Sequence, residues 1–472
     1  MPESYAERVI SFDRISISRP EITGKSIRGK ISVTSDNLTE SFTIIFTYSE
    51  SMKLDERIAG LILTMPAINF TYFARELHLD FPITEEDRSL LETFLKVNAR
   101  EIFINKICRR RYEFIRKEYI PGEEDINEHN ADGITVLIAG TTRKRYDVHP
   151  VPGNAVVLSS GGKESLLSYG MMKEIGSRVF SFFFNESGGH WITAKTSYDY
   201  FSSHFPDTVK VWSNVDRFYK FMQRRVRILD QMAITRWADT YPIQLFIFPV
   251  YVFSLLPIVI NHGISTILLG DEFDDPRDMP DFHGMKHYFG VFDQSTDFNR
   301  IMSDYLKKIG INAVLTSVVY PVFGNVVERI LVNRYPELFS LQRSCHSCHY
   351  ENGKIVPCGK CSKCLGILMF VHSAGGDPAD ICYGKISDDD LRERVESVRM
   401  RLDTDEMAYL RKLVIEHGNP TKSHVTGIHL LDVEKSPGQL IPIEFRNGIM
   451  KIISQYSSGI FELRNGEWAE KT

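Results

Sequence analysis

From residue 155 onward, short apolar runs alternate with helix-like stretches. Ala155-Val156-Val157-Leu158 precedes a glycine-containing turn and a helical pattern over residues 164–175. Residues 179–184 form a second apolar run, residues 245–261 a long buried helix, and residues 266–269 a further strand. Strands that alternate with helices of ten or more residues predict βαβ units and a parallel sheet. The earlier chain reads differently. Residues 26–48 alternate as strands, with Ser35-Asp36-Asn37 as the turn. Residues 54–63 and 85–103 carry helical spacing, the second through Leu90, Leu91, Phe94 and Leu95 with acidic residues in its first turn. Residues 121–132 are polar and acidic and read as a loop or linker. Beyond Gly375 the chain is charged and helical over residues 388–412, then ends in weak strand-like pieces. This divides the chain into a small N-terminal α+β domain (residues 1–145), an α/β domain (146–375) and a mainly helical C-terminal extension (376–472). No internal repeat and no low-complexity tract stands out.

Composition narrows the picture. The length of 472 residues suits two or three domains, and 43% hydrophobic with 25% charged residues excludes a mostly disordered chain. Lys and Arg total 56 against 61 Asp and Glu, which argues against a wholly electrostatic nucleic-acid partner. The basic run Cys108-Arg109-Arg110-Arg111 reads as a solvated helix face. The most apolar stretch, residues 245–260, is about 16 residues long against the ~20 needed to span a bilayer. It also contains Pro249 and Pro257, so no membrane insertion is expected. No basic segment followed by an apolar run opens the chain, so no signal peptide is expected and the expected compartment is the cytoplasm.

The strongest chemical signal is Leu158-Ser159-Ser160-Gly161-Gly162-Lys163-Glu164-Ser165, between an apolar strand and a helix. Glycines there let the backbone approach an anion closely, and loop and helix N-terminal N–H groups favour negative charge. Ser160 and Ser165 can donate hydroxyl hydrogen bonds, and Lys163 can pair with a phosphate. A second segment, Gly270-Asp271-Glu272-Phe273-Asp274-Asp275, follows a predicted strand, where open parallel sheets bind ligands. Its carboxylates are candidates for Mg²⁺ or general-base work. A third strand end, Asn185-Glu186-Ser187-Gly188-Gly189-His190-Trp191, concentrates catalytic side-chain types, with His190 as an acid/base candidate.

Seven cysteines are too few for a disulfide scaffold, yet Cys345, Cys348, Cys358, Cys361 and Cys364 fall within twenty residues. Close CxxC pairs of thiolates favour a structural Zn²⁺, with an iron–sulfur cluster as the rival. His346 and His349 are alternative ligands. Four ligands are needed and five cysteines are present, so one is spare.

The loop resembles the SGGxDS pyrophosphate loop of the PP-loop ATP pyrophosphatase superfamily, matching at Ser160, Gly161, Gly162 and Ser165, with Glu164 at the usual Asp. That resemblance implies a Rossmann-like HUP-type parallel sheet, bound ATP and cleavage between its α and β phosphates. Gly270 and the residues after it then lie beside the nucleotide. The Cys345 segment and Cys358-Gly359-Lys360-Cys361-Ser362-Lys363-Cys364 resemble the zinc loop of cyano-deazaguanine synthases. The register of that likeness favours Cys345 over Cys348, whereas the nine-residue gap favours Cys348. The lysine of those synthases has no counterpart in residues 320–329. A closer likeness, over most of the first 375 residues, is to the ATP-dependent epimerases that act on UDP-N-acetylmuramoyl-L-alanyl-L-glutamate. It rests on Ile68 to Phe73, Lys163 to Leu167, Asn185 to Trp191, Phe292 to Ser295 and the CGxCxKC block. Gly161, Glu164 and the chain after Gly375 depart from that family. The resemblance implies adenylation of a glutamate α-carboxylate with a UDP-sugar-peptide as substrate, and a base to be sought among His190, Glu186, Asp271 and Glu272. The alternative is a PP-loop enzyme that modifies a nucleobase or tRNA.

Overall fold

In the computed structural model, which describes residues 3–110, 113–235, 242–273, 275, 281–345, 347–384, 386–398, 400, 402–420, 423–430 and 438–471, the strand-like runs join one large mixed sheet. Its strands are β1 (Phe12–Ile17), β2 (Glu21–Thr23), β3 (Ser26–Ser35), β4 (Leu38–Tyr48), β5 (Ala74–Ile83), β6 (Val136–Thr141), β7 (Asn154–Leu158), β8 (Arg178–Asn185), β9 (Thr208–Ser213), β10 (Thr266–Leu268) and β11 (Val314–Thr316). The spatial order is β11-β10-β7-β8-β9-β4-β3-β1-β5-β6, with β2 on β3. The protein is therefore α/β, with flanking helices and small accessory sheets.

The five strands from β11 to β9 are all parallel. Helices cover both faces of such a sheet, so its strands read as near-continuous apolar runs rather than alternating ones. In β8, Val179 to Phe184 are all buried. By contrast β3 alternates, with Ile27, Ile31 and Val33 turned inward. Asp36 and Asn37 both take positive φ, the mirror-image turn that matches strand twist, and β3 and β4 pair directly across it.

The segment before residue 145 and the segment after it share this sheet. β4 pairs antiparallel with β9, Phe46 opposite Ser213, Thr47 opposite Trp212 and Tyr48 opposite Val211. The stretch expected as a linker, 121–132, is partly folded: the helix Glu128–Asp132 is capped by Asn127, and Asn130 is buried, its side chain accepting from the Ala6 N–H.

Ten of the described helices bear on the site and its supports. They are α1 (Glu56–Ile68), α2 (Glu85–Glu101), α3 (Lys163–Glu174), α4 (Gly189–His204), α5 (Val215–Gln223), α6 (Phe248–His262), α7 (Thr296–Lys308), α8 (Gly324–Arg334), α9 (Ser362–Ala374) and α10 (Thr404–Leu410). The apolar stretch expected from residue 245 becomes helical only at Phe248. Asp293 explains the boundary, since its Oδ2 accepts the Ile247 and Phe248 N–H groups at 2.9 and 3.0 Å. Gly263 ends α6 in the left-handed conformation. α6 packs on α1, which is apolar all round because it is covered on every side. No described helix is long and apolar enough to cross a membrane. A buried ion pair, Arg57 to Asp87 at 2.8 Å, joins α1 to α2, and the Tyr305 hydroxyl from α7 donates to the same carboxylate.

The charged stretch 388–412 is interrupted. Asp388–Ser397 and α10 are separate helices, with α10 running into a π-helical turn, Arg411–Ile415. The last residues form a small sheet from Ile428–Leu430, Ile460–Arg464 and Glu467–Glu470. This sheet packs on the acidic segment after β10: the Trp468 indole N–H donates to Asp275 Oδ2 at 2.7 Å, and His429 stacks on Phe273.

Candidate functional site: a cleft bounded by the glycine loop and a four-cysteine cluster

In the five parallel strands the order reverses at β7, whose neighbours β8 and β10 lead away in opposite directions. A crevice opens outside the carboxyl ends of strands at such a point. A cleft of about 480 Å³ lies there, lined by Ser159, Ser160, Gly162, Glu164 and Ser165 of the loop.

The loop is held from both sides. The Ser159 N–H still bonds to Phe182 O of β8 at 2.8 Å, and Arg343 N–H donates to Gly161 O at 3.0 Å. Ser165 braces it internally, accepting from the Ser160 N–H and donating to Gly162 O at 3.1 Å. Gly161 has φ +75°, and a Cβ there would lie 2.9 Å from Ser197 Oγ. At Gly270 a Cβ would lie 2.8 Å from the Glu164 Cβ, so the end of β10 touches the start of α3. Gly162 caps α3 without a side-chain hydrogen bond, and Gly188 does the same for α4. Both helix N-termini border the cleft and favour an anion in it.

Lys163 does not face this cleft. Its Nζ is buried, pairs with Glu164 and Glu272, and lies 5.2 Å from the centre of the Phe370 ring. Burial opposes its charge, but the two carboxyls outweigh that and raise its pKa. Burial also raises both carboxyls, yet Lys163 pulls Glu164 down to about 2. Burial pushes Glu272 well up; the Lys163 charge opposes this and the Glu164 charge adds to it. Two more buried acids lie near this group. Glu406 accepts from the Asn325 backbone and side chain. Glu328 accepts from Gln342 Nε2 at 3.1 Å.

The sequence candidates therefore separate. His190 and Glu186 line the cleft; Asp271 and Glu272 do not. Asp271 is buried, with Asn299 Nδ2 donating to its carboxylate at 2.8 Å and Ser317 Oγ donating to its carbonyl. Asp274 and His346 lie outside the described residues. Burial pushes Glu186 up to about 7, its own backbone N–H opposing and the Asp216 charge adding. Asp216, from the first turn of α5, also lines the cleft, and sequence reasoning missed it. The available signal was its place just after the third parallel strand. Part of the lining is apolar, with Phe182, Phe184, Ile247, Phe248 and Tyr251.

The cysteine segment forms the cleft's other edge. The sulfurs of Cys345, Cys358, Cys361 and Cys364 lie within 4.8 Å of one another, and Cys358 Sγ is 3.7 Å from Cys364 Sγ. A tetrahedral zinc with Zn–S near 2.3 Å requires sulfur separations of about 3.8 Å. Backbone N–H groups of Ser347 and Cys358 donate to Cys345 Sγ, and that of Cys364 donates to Cys361 Sγ, as suits thiolates. The four residues thus fit a structural metal such as zinc. Cys348 lies outside this set, buried against Cys345 and Thr193. His349 is on the hairpin His349–Glu351 with Lys354–Val356, which fills the gap between Cys348 and Cys358. Cys345 lines the cleft, and its carbonyl accepts from Thr193 Oγ1 of α4 at 3.0 Å.

No protein-family model matches this chain, and no curated protein matches it significantly.

Proposed function

We propose that this protein is an ATP-dependent, AMP- and pyrophosphate-forming enzyme of the PP-loop type that adenylates a substrate carboxylate. The particular reaction proposed is epimerisation of the terminal L-glutamate of a UDP-muramoyl-dipeptide-like substrate. The observation that carries the reading is the serine- and glycine-lined cleft at the carboxyl end of β7, where strand order reverses. The order β9-β8-β7-β10-β11, with its reversal at β7, supports reading this part of the sheet as Rossmann-like and HUP-type.

In this reading the β- and γ-phosphates sit over Ser160 to Ser165, and the loop holds them as pyrophosphate leaves. The apolar part of the lining suits the adenine ring. Mg²⁺ would neutralise phosphate charge, with Glu164 and Asp216 as the cleft carboxylates able to hold it. The substrate carboxylate attacks the α-phosphorus and pyrophosphate departs. The resulting acyl-adenylate acidifies the neighbouring C–H. Glu186, poised near neutrality, removes that proton. Return of a proton to the opposite face inverts the centre, and water then releases AMP and the free carboxylate. The alternative of tRNA thiolation lacks support. Cys345 is the one cleft-lining cysteine among the described residues, and it belongs to the four-sulfur group.

The test supplies ATP, Mg²⁺ and a panel of carboxylates and follows pyrophosphate release. AMP and pyrophosphate formed with a glutamyl substrate, together with deuterium uptake at its α-carbon in heavy water, is the expected result. ADP and phosphate as products would refute the reading.

A further inference from the structure

The cleft has been read as a phosphate site, yet the lysine inside the glycine loop is committed elsewhere. Lys163 is locked between Glu164 and Glu272. Arg343 also borders the cleft, but its guanidinium is used up. Nε donates to Ile355 O, one terminal nitrogen to Ser340 O and Gln342 O, and the other to Cys382 Sγ. Its side chain is buried in these contacts. One cationic side chain of the lining remains. Lys363 is exposed, has no hydrogen-bond or ion-pair partner among the described residues, and lies close enough to Glu164 to help lower its pKa.

Its placement is unusual. Lys363 lies in the first turn of α9, between Cys361, which caps that helix, and Cys364. Both neighbours belong to the four-sulfur group. Cys345, another member of the group, lies two residues after Arg343, whose backbone N–H holds Gly161 of the loop. A metal bound by these cysteines would therefore fix, through one centre, both the backbone that carries Lys363 and the segment that pins the glycine loop.

We propose that Lys363 is the phosphate-binding cation of the cleft, positioned by the metal-bound cysteine loop, so that metal occupancy and polyphosphate affinity are coupled. The proposal rests on the nucleotide reading above and assigns to Lys363 the contact that sequence pattern gives to Lys163. An ammonium aimed at a phosphate that already meets helix N–H groups and serine hydroxyls adds a charge-assisted hydrogen bond. It places a thiolate-bound metal in a binding role without giving it any chemistry.

The experiment measures binding of ATP and of inorganic pyrophosphate to the full chain by titration calorimetry. It compares wild type with Lys363→Gln and Lys363→Arg, with bound zinc and the thermal midpoint measured on each sample. Lys363→Gln is expected to weaken both ligands about tenfold or more, the scale of one charge-assisted contact, with zinc content and midpoint unchanged. Lys363→Arg keeps the charge and most of the affinity. Chelating zinc from wild type should weaken pyrophosphate to the Lys363→Gln level, and chelation should cost Lys363→Gln little more. Equal affinity in wild type and a zinc-replete Lys363→Gln overturns the assignment while leaving the nucleotide reading intact. Losses that simply add on chelation overturn the coupling. Wild type that binds neither ligand overturns the nucleotide reading itself.

Discussion

Glu328 offers the sharpest test of the buried acid group. It sits in the middle of α8, fully buried, with one oxygen accepting from Gln342 and the other without a partner among the described residues. Burial pushes its carboxyl up to about 8; the Lys163 charge opposes this and Glu164 adds to it. In the unfolded chain it ionises near 4.5. A raised folded-state pKa gives stability that is complete below pH 4.5 and is lost as pH rises through about 8. The full loss is roughly 5 kcal/mol, of which about 3 kcal/mol already applies at pH 7. Glu328→Gln keeps a neutral side chain of the same shape and still offers Gln342 an oxygen. It should match wild type within about 1 kcal/mol at pH 5 and exceed it by about 4 kcal/mol at pH 8. Urea midpoints of both proteins across pH 5 to 8.5 read this directly. Parallel midpoint curves would show that Glu328 is ionised in the folded state and that the reasoning from its burial is wrong.

Three further expectations follow from the same geometry. Cys361→Ser should drop bound zinc to a small fraction of one per chain and lower the thermal midpoint, whereas Cys348→Ser should keep the metal; metal analysis of purified protein distinguishes them. Asp87→Ala leaves Arg57 buried and unpaired and should cost about 3–5 kcal/mol in denaturant unfolding, while a loss below 1 kcal/mol would mean that Arg57 finds another partner. Glu186→Gln should leave pyrophosphate release measurable but abolish solvent deuterium uptake at the substrate α-carbon. In wild type the uptake rate should rise with pH through about 7 as Glu186 deprotonates, and a flat profile would remove it as the base.

What could be read from sequence was what local pattern decides. β7, its loop and α3 form one strand–turn–helix unit whose periods and glycines lie close together between Asn154 and Glu174, and the structure places them within a residue of expectation. The four-sulfur group followed from spacing, although spacing alone could not choose between Cys345 and Cys348. The choice depends on the hairpin between Cys348 and Cys358, whose signal was the Asn352-Gly353 dipeptide, both residues at positive φ. Long-range pairing stayed hidden. β4 and β9 are more than 160 residues apart, and nothing in either run specifies the other as partner. The direction of a lysine was equally illegible. Lys163 stands in the phosphate-loop motif and Lys363 in the zinc-loop motif, and only packing against Phe370 and Glu272 turns the first inward. The acidic residues after β10 looked available because the C-terminal sheet that engages Asp275 carried no recognisable pattern.

The seam between β4 and β9 has a mechanical consequence. It makes β9 an interior strand and leaves the sheet's free borders at β11 and β6. The two halves of the chain therefore cannot swing about a hinge to close over an occupant, because any relative rotation would tear backbone hydrogen bonds in the middle of the sheet. Access must instead be governed by side chains and loops at the rim. For the same reason, cutting the chain near residue 145 would strip β9 of its partner and bare a row of unpaired N–H and C=O groups, an invitation to strand-to-strand aggregation rather than two independent modules.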